Sequence, residues 1–134
     1  MELSFDGDKK DAITEVYGIG YIPEGFEPIK ESISDSAVFK DYEDSDGNII
    51  SFSQMITGND TTVDVDNEQS KNYTINVDGV EIFITEGIRD DIKAAFWGVD
   101  GYSFNLTYIG DIELDELTEV ISSVYVIELR ELEE

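Results

Sequence analysis

The sequence predicts one α+β domain: a twisted, mainly antiparallel sheet built from three Asp-Gly hairpins, with a C-terminal amphipathic helix packed on one face. Three observations predict it. Asp46-Gly47, Asp78-Gly79 and Asp100-Gly101 each sit between apolar-rich arms, and Asp-Gly in that setting is a strong hairpin signal. After Gly110 the apolar spacing changes from alternation to the three-and-four rhythm of a helix. A length of 134 residues, 40% apolar and 11% aromatic, suits a single domain with one core.

Residues 1–15 read as a polar lead-in, with one helical turn expected near Asp11 to Val16. The domain proper is expected over 16–129. Tyr17 to Ile22 is apolar and interrupted by glycine. It leads into Pro23-Glu24-Gly25, where proline fixes φ for a turn and glycine suits the position two residues later.

In the first hairpin Val38, Tyr42, Ile50, Phe52 and Ile56 are all even-numbered. A two-residue loop would pair even with odd and send the two apolar sets to opposite faces. A connection of about three or five residues, or a bulge at Gly47, restores agreement. The segment Thr57 to Lys71 is polar and rich in Asp and Asn, with a short strand expected over Thr61 to Asp66.

The second and third hairpins accept two-residue loops. About Asp78-Gly79, Val77 is expected opposite Val80, Ile75 opposite Ile82 and Tyr73 opposite Ile84. About Asp100-Gly101, Val99 is expected opposite Tyr102, Trp97 opposite Phe104 and Ala95 opposite Leu106. Apolar meets apolar at each pairing, which favours one buried face. The sheet should hold about five to seven strands.

Leu114, Leu117, Ile121 and Val124 form the helical stripe. The helix is expected over 113–124, with Asp111 as its cap and Glu113, Asp115 and Glu116 near its positive end. Tyr125 to Leu129 extends the helix or returns as a strand, and 130–134 is an acidic tail expected to fray.

Thirty-two Asp and Glu against eight Lys and Arg give 8 − 32 = −24. That balance disfavours nucleic acid and anionic membrane surfaces, which need a basic footprint, and leaves cationic partners open. The chain has no Cys and no His. Disulfides, thiolate metal sites, cysteine nucleophiles and Ser-His or Cys-His arrangements are therefore excluded. No catalytic residue is assigned, and the chain is expected not to be an enzyme. No cofactor is expected beyond calcium.

Calcium has one candidate site. Asp64, Asp66 and Glu68 alternate, so an extended backbone would put all three on one face about 7 Å apart. The alternative is an acidic edge that discourages sheet-to-sheet association. Asp44-Ser45-Asp46-Gly47-Asn48 looks like part of an EF-hand loop. In that alignment, however, Tyr42 falls where the first Asp belongs and Ser53 where the bidentate Glu belongs. Trp97, Tyr102 and Phe104 fall on the core face. Phe83 and Phe96 fall on the other face, and with no helix over it they would form an exposed apolar contact surface.

Tyr21-Ile22-Pro23-Glu24-Gly25-Phe26 opens a series of motifs. Tyr42, Asp46-Gly47-Asn48, Ile50 and Phe52-Ser53-Gln54 follow, then Val77-Asp78-Gly79. Trp97 with Asp100-Gly101-Tyr102-Ser103-Phe104 comes next, and Asp115-Glu116-Leu117 closes the series. In order and spacing, over roughly 16 to 124, this series resembles a bacterial family of domains of unknown function, number 4367. Thr57 to Lys71 is longer and more acidic than the family pattern. The resemblance implies the extracytoplasmic part of a membrane-anchored protein, with the anchor outside this chain and no functional residues to carry over. The Trp-x-x-Asp-Gly-Tyr hairpin followed by a Leu-rich helix also resembles envelope lipoprotein-carrier and sigma-regulator sensor folds.

The expectation is a non-catalytic binding or sensory module, extracellular at the cell surface, for a protein, peptide or cell-wall component. The alternatives are a carboxylate-dependent hydrolase acting on cell-envelope material and a structural spacer domain.

Overall fold

The computed structural model describes residues 2–4, 12–56, 62–64, 70–87 and 91–129, and for 2–4, 62–64 and 70 the backbone alone. The strands in chain order are β1 (Glu2–Ser4), β2 (Glu15–Ile19), β3 (Glu27–Ile33), β4 (Ala37–Glu43), β5 (Ile49–Ile56) and β6 (Thr62–Asp64). β7 (Ser70–Val77), β8 (Val80–Gly87), β9 (Ile92–Val99) and β10 (Tyr102–Ile109) follow, then α1 (Leu114–Ser122) and β11 (Val124–Leu129). Among the described residues no helix is long and apolar enough to cross a membrane.

Seven strands form one antiparallel sheet in the order β3-β4-β5-β10-β9-β8-β7. It is two meanders joined at their last strands, β5 and β10, which pair from Tyr102 opposite Ile56 to Ile109 opposite Ile49. Alternation decides the faces. Phe52 and Gln54 on β5, Phe104 and Leu106 on β10, and Ala95 and Trp97 on β9 all turn to the core. Two short ribbons complete the fold, β2 with β11 and β1 with β6.

Asp78-Gly79 and Asp100-Gly101 are two-residue turns, with Val77 opposite Val80 and Val99 opposite Tyr102. Positive φ at all four residues, 51° and 85° in one turn and 53° and 86° in the other, is the mirror-image turn that Asp-Gly favours. The connection at Asp46-Gly47 is five residues, 44–48, with Tyr42 opposite Ile50.

Ile13 and Val16, with Leu117, Val120 and Ile121 of α1, lie over this face and complete one hydrophobic core. Full burial of a Leu, Ile or Phe side chain stabilises by about 1.5–3 kcal/mol, so the layer's contacts hold the helix in place. Ile13, at 1% exposed, belongs to the core although it falls in the stretch read as a polar lead-in.

Three local expectations are corrected. Glu15 and Val16, expected near a helical turn, are in β2, where Val16 alternates with Tyr17 and the ladder to β11 supplies the backbone partners. The helix spans 114–122 rather than 113–124, and its N-cap is Glu113, extended and without a side-chain cap, not Asp111. Ile112 and Leu117, both buried, occupy the two positions of a hydrophobic staple, so apolar packing fixes the start of α1. The stretch after Ser123 turns back as β11, where Val124 stands opposite Ile19.

Candidate functional site

The ladder between β8 and β9 is incomplete. β7 and β8 pair over their full eight residues, as do β9 and β10. Between the two hairpins, however, pairing covers just four, from Phe83 opposite Phe96 to Glu86 opposite Lys93. Beyond Phe83 the hairpins run unpaired toward their turns, and a cleft of about 180 Å³ lies there. Val77, Val80 and Ile82 line it from one hairpin; Trp97, Val99 and Phe104 line it from the other.

The covering layer supplies the roof. Tyr17 of β2, Val124 of β11 and the C-terminal end of α1, at Ile121 and Ser122, complete the lining. No basic residue occupies the last turn of α1, so no side-chain charge offsets the negative end of the helix dipole there. The floor is aromatic: Trp97 stacks on Phe104 at 5.4 Å between ring centroids, and Tyr17 meets Phe104 edge-on at 4.9 Å. Trp97, Phe104 and Ile82 are 4%, 2% and 1% exposed. They are core residues whose outer surfaces form the bottom of a narrow recess.

The rim is acidic. Asp78 is part of the lining, and the Asp100 turn ends the neighbouring hairpin at the same end of the sheet. Burial, then the carboxylates of Glu15 and Asp100, and then Tyr102 push the Tyr17 hydroxyl up to about 12. At neutral pH it is a phenol able to donate a hydrogen bond at the wall of the cleft.

β2 owes its place here to two side chains of the sheet. Gln54, fully buried, accepts from the Tyr17 N–H at 3.0 Å and donates to the Glu15 carbonyl at 2.8 Å. The Tyr102 hydroxyl accepts from the Thr14 and Glu15 N–H groups at 3.1 and 3.2 Å. These bonds satisfy backbone groups of β2 on the edge away from β11 and hold Tyr17 over Phe104.

The residues expected from sequence to form a site lie elsewhere. Phe83 and Phe96 face each other across β8 and β9 on the side away from the core, but Phe83 is 6% exposed and Phe96 is part-buried. With Phe83 buried and Phe96 part-buried, the pair does not present the exposed apolar surface expected of it. Of the calcium candidates, Asp66 and Glu68 lie outside the described residues, and Asp64 is described by its backbone alone, opposite Glu2 in the β1–β6 ribbon. Among the described residues no three His, Cys, Asp or Glu side chains gather as a metal centre.

In the EF-like stretch, Asp44 accepts hydrogen bonds from the Asp46 N–H, the Asn48 N–H and the Asn48 side-chain amide. The side-chain bond from Asn48, ahead of the backbone bonds, holds the Asp44 carboxyl below its ordinary range. That acid closes its own turn.

Sequence reasoning put Trp97 and Phe104 in the core without seeing the recess above them. Tyr17, Ser122 and Val124 were missed because they come from elements far away in the chain. The available signal was Val80 and Val99, each smaller than the next inward residue of its arm, Ile82 and Trp97.

No curated protein and no solved structure matches the chain. The model of one family, described as a domain of unknown function (DUF4367), matches residues 16–124, a span that holds every residue lining the cleft, and the chain therefore belongs to that family.

Proposed function

We propose that this chain is a non-catalytic binding or sensory module standing outside the membrane, and that the cleft between the two hairpins is its receiving site. The observation that carries the reading is the early end of the β8–β9 ladder, with an apolar recess where continuous pairing would leave none. A dry recess of about 150 Å³ is enough to hold a benzene-sized group, so this one suits a single ring or branched side chain. Among the described residues Asp78 is the one carboxylate in the lining, which suits recognition better than two-carboxylate hydrolysis. The extracellular, membrane-anchored setting rests on the sequence resemblance and agrees with a chain free of cysteine thiols. Binding in this reading needs no cofactor.

The test is a titration of the ¹⁵N-labelled chain with N-acetyl-leucinamide, a small uncharged apolar probe, followed by NMR. Saturable shifts centred on Val80, Trp97, Val99 and Ser122 are expected. They should vanish in Ser122→Trp, which fills the mouth from the solvent-facing end of α1, while the melting temperature stays near that of the parent. Shifts scattered over the surface, or none, would remove the cleft as a binding site.

A further inference from the structure

Resting on that reading, we infer that the cleft's ligand is a cationic peptide: one apolar side chain enters the recess while flanking Lys or Arg residues lie on its rim. Size argues first. Pockets that enclose whole small-molecule ligands run from about 300 to 1,000 Å³, and this cleft measures about 180 Å³. It takes one side chain, so the rest of the ligand has to lie outside, across the mouth.

Charge then decides what can lie there. Asp78 and Asp100 stand on adjacent turns at the same end of the sheet, one on each hairpin that walls the cleft. The third wall is the C-terminal end of α1, where the helix dipole is negative and the last turn holds no Lys or Arg. The Glu119 and Val120 carbonyls already accept from Ser122 and Ser123, so this end acts through its field. Among the described residues no basic side chain lines the cleft. An anionic flank would be repelled by two carboxylates and the negative end of the helix dipole, whereas a cationic one is attracted by all three. The net charge of −24 draws basic peptides from a distance and repels anionic lipid. A second copy of the chain is disfavoured on the same ground.

The experiment uses the whole chain and five probes: acetyl-Lys-Leu-Lys-amide, acetyl-Glu-Leu-Glu-amide, acetyl-Lys-Ala-Lys-amide, N-acetyl-leucinamide and phosphatidylglycerol vesicles. Binding is followed through the fluorescence of Trp97, the chain's one tryptophan. The Lys-Leu-Lys peptide should bind about three- to tenfold more tightly than N-acetyl-leucinamide, the increment expected of two exposed ion pairs. That margin should close in about 0.5 M salt. It should also close in the Asp78→Asn, Asp100→Asn double variant, whose Asn-Gly pairs keep the same turn.

Equal binding of the Lys-Leu-Lys and Glu-Leu-Glu peptides would overturn the inference and leave the cleft reading intact. A Lys-Ala-Lys peptide as tight as Lys-Leu-Lys would overturn it too, by placing recognition on surface charge alone. Preference for phosphatidylglycerol vesicles over every peptide would replace the peptide with a lipid surface. Failure of both N-acetyl-leucinamide and Lys-Leu-Lys to bind would sink the cleft reading itself.

Discussion

Tyrosine hydroxyls in this protein sit where a negative charge is unwelcome. Burial raises Tyr17 to about 12, with help from Glu15, Asp100 and Tyr102. Burial also raises Tyr73 to about 12, where Glu86 adds a hydrogen bond and its charge. Tyr42 and Tyr108 are raised as well, chiefly by burial. A native-state value above the unfolded one, about 10, means the folded chain holds these protons longer. Their contribution to stability is complete below pH about 10 and is lost as pH rises through the native values near 12. Absorbance titration should therefore show tyrosinate appearing late, with unfolding midpoints falling over the same alkaline window. Ordinary titration of all seven tyrosines near pH about 10 in folded protein would contradict the packing of Tyr17 and Tyr73. Asp44 runs the other way. Its carboxyl is held low by Asn48, so its contribution is present above the ordinary carboxylate range and fades as pH falls through the lowered value.

Among the elements, β2 shows how an unsupported strand is held. Its far edge is closed by Gln54 and Tyr102 instead of another strand. Gln54→Met keeps the side-chain length and removes both hydrogen bonds to β2, leaving the Tyr17 N–H without its acceptor. A buried donor left unsatisfied costs about 1–3 kcal/mol, so urea denaturation should show a loss of about that size. A loss below about 0.5 kcal/mol would mean water reaches these groups and the bridge is dispensable. Nothing in the sequence marks Gln54 for this role, since a polar residue at an inward position looks like a break in the pattern. The sheet was easier to read. Alternation about Asp78 and Asp100 carries the register of the second and third hairpins, because a one-residue slip would turn Trp97, Phe104 and Ile82 outward. The even-numbered set around Asp46 likewise demands an odd connection, and it has five residues. β2 was not legible and β11 was left open between helix and strand, because the two pair across the length of the chain and each is too short to show a period alone. The cleft was illegible for a related reason. It arises where β8 and β9 stop pairing, and local alternation says nothing about where a ladder between two separate hairpins ends.

Across the whole molecule, charge opposes packing. The described core is closed and fully satisfied, with no buried side-chain nitrogen or oxygen left without a partner among the described residues. The surface carries the −24 imbalance. The ion pairs given for the described residues are long, Lys40 to Glu31 at 3.9 Å and Lys93 to Glu86 at 4.0 Å, and such partly exposed pairs are worth little. Like-charge repulsion is then the main electrostatic term acting on stability, and it acts against the compact state. Its range is set by the Debye length, about 30 Å at 0.01 M salt and about 8 Å at 0.15 M. Raising sodium chloride across that interval should therefore raise the melting temperature steadily and then level off, because most of the repulsion is already screened at the upper end. Calcium and magnesium at matched ionic strength separate this from an ordered site. Screening treats the two alike, whereas a site at Asp64, Asp66 and Glu68 would add stability for calcium in proportion to its occupancy. Equal curves place the effect in the general field of the surface. A calcium curve standing clear of magnesium would return those three carboxylates to the list of binding groups. A melting temperature indifferent to salt would show that the acidic surface does not strain the fold at all, and the electrostatic attraction of cationic peptides to the cleft would lose its long-range component with it.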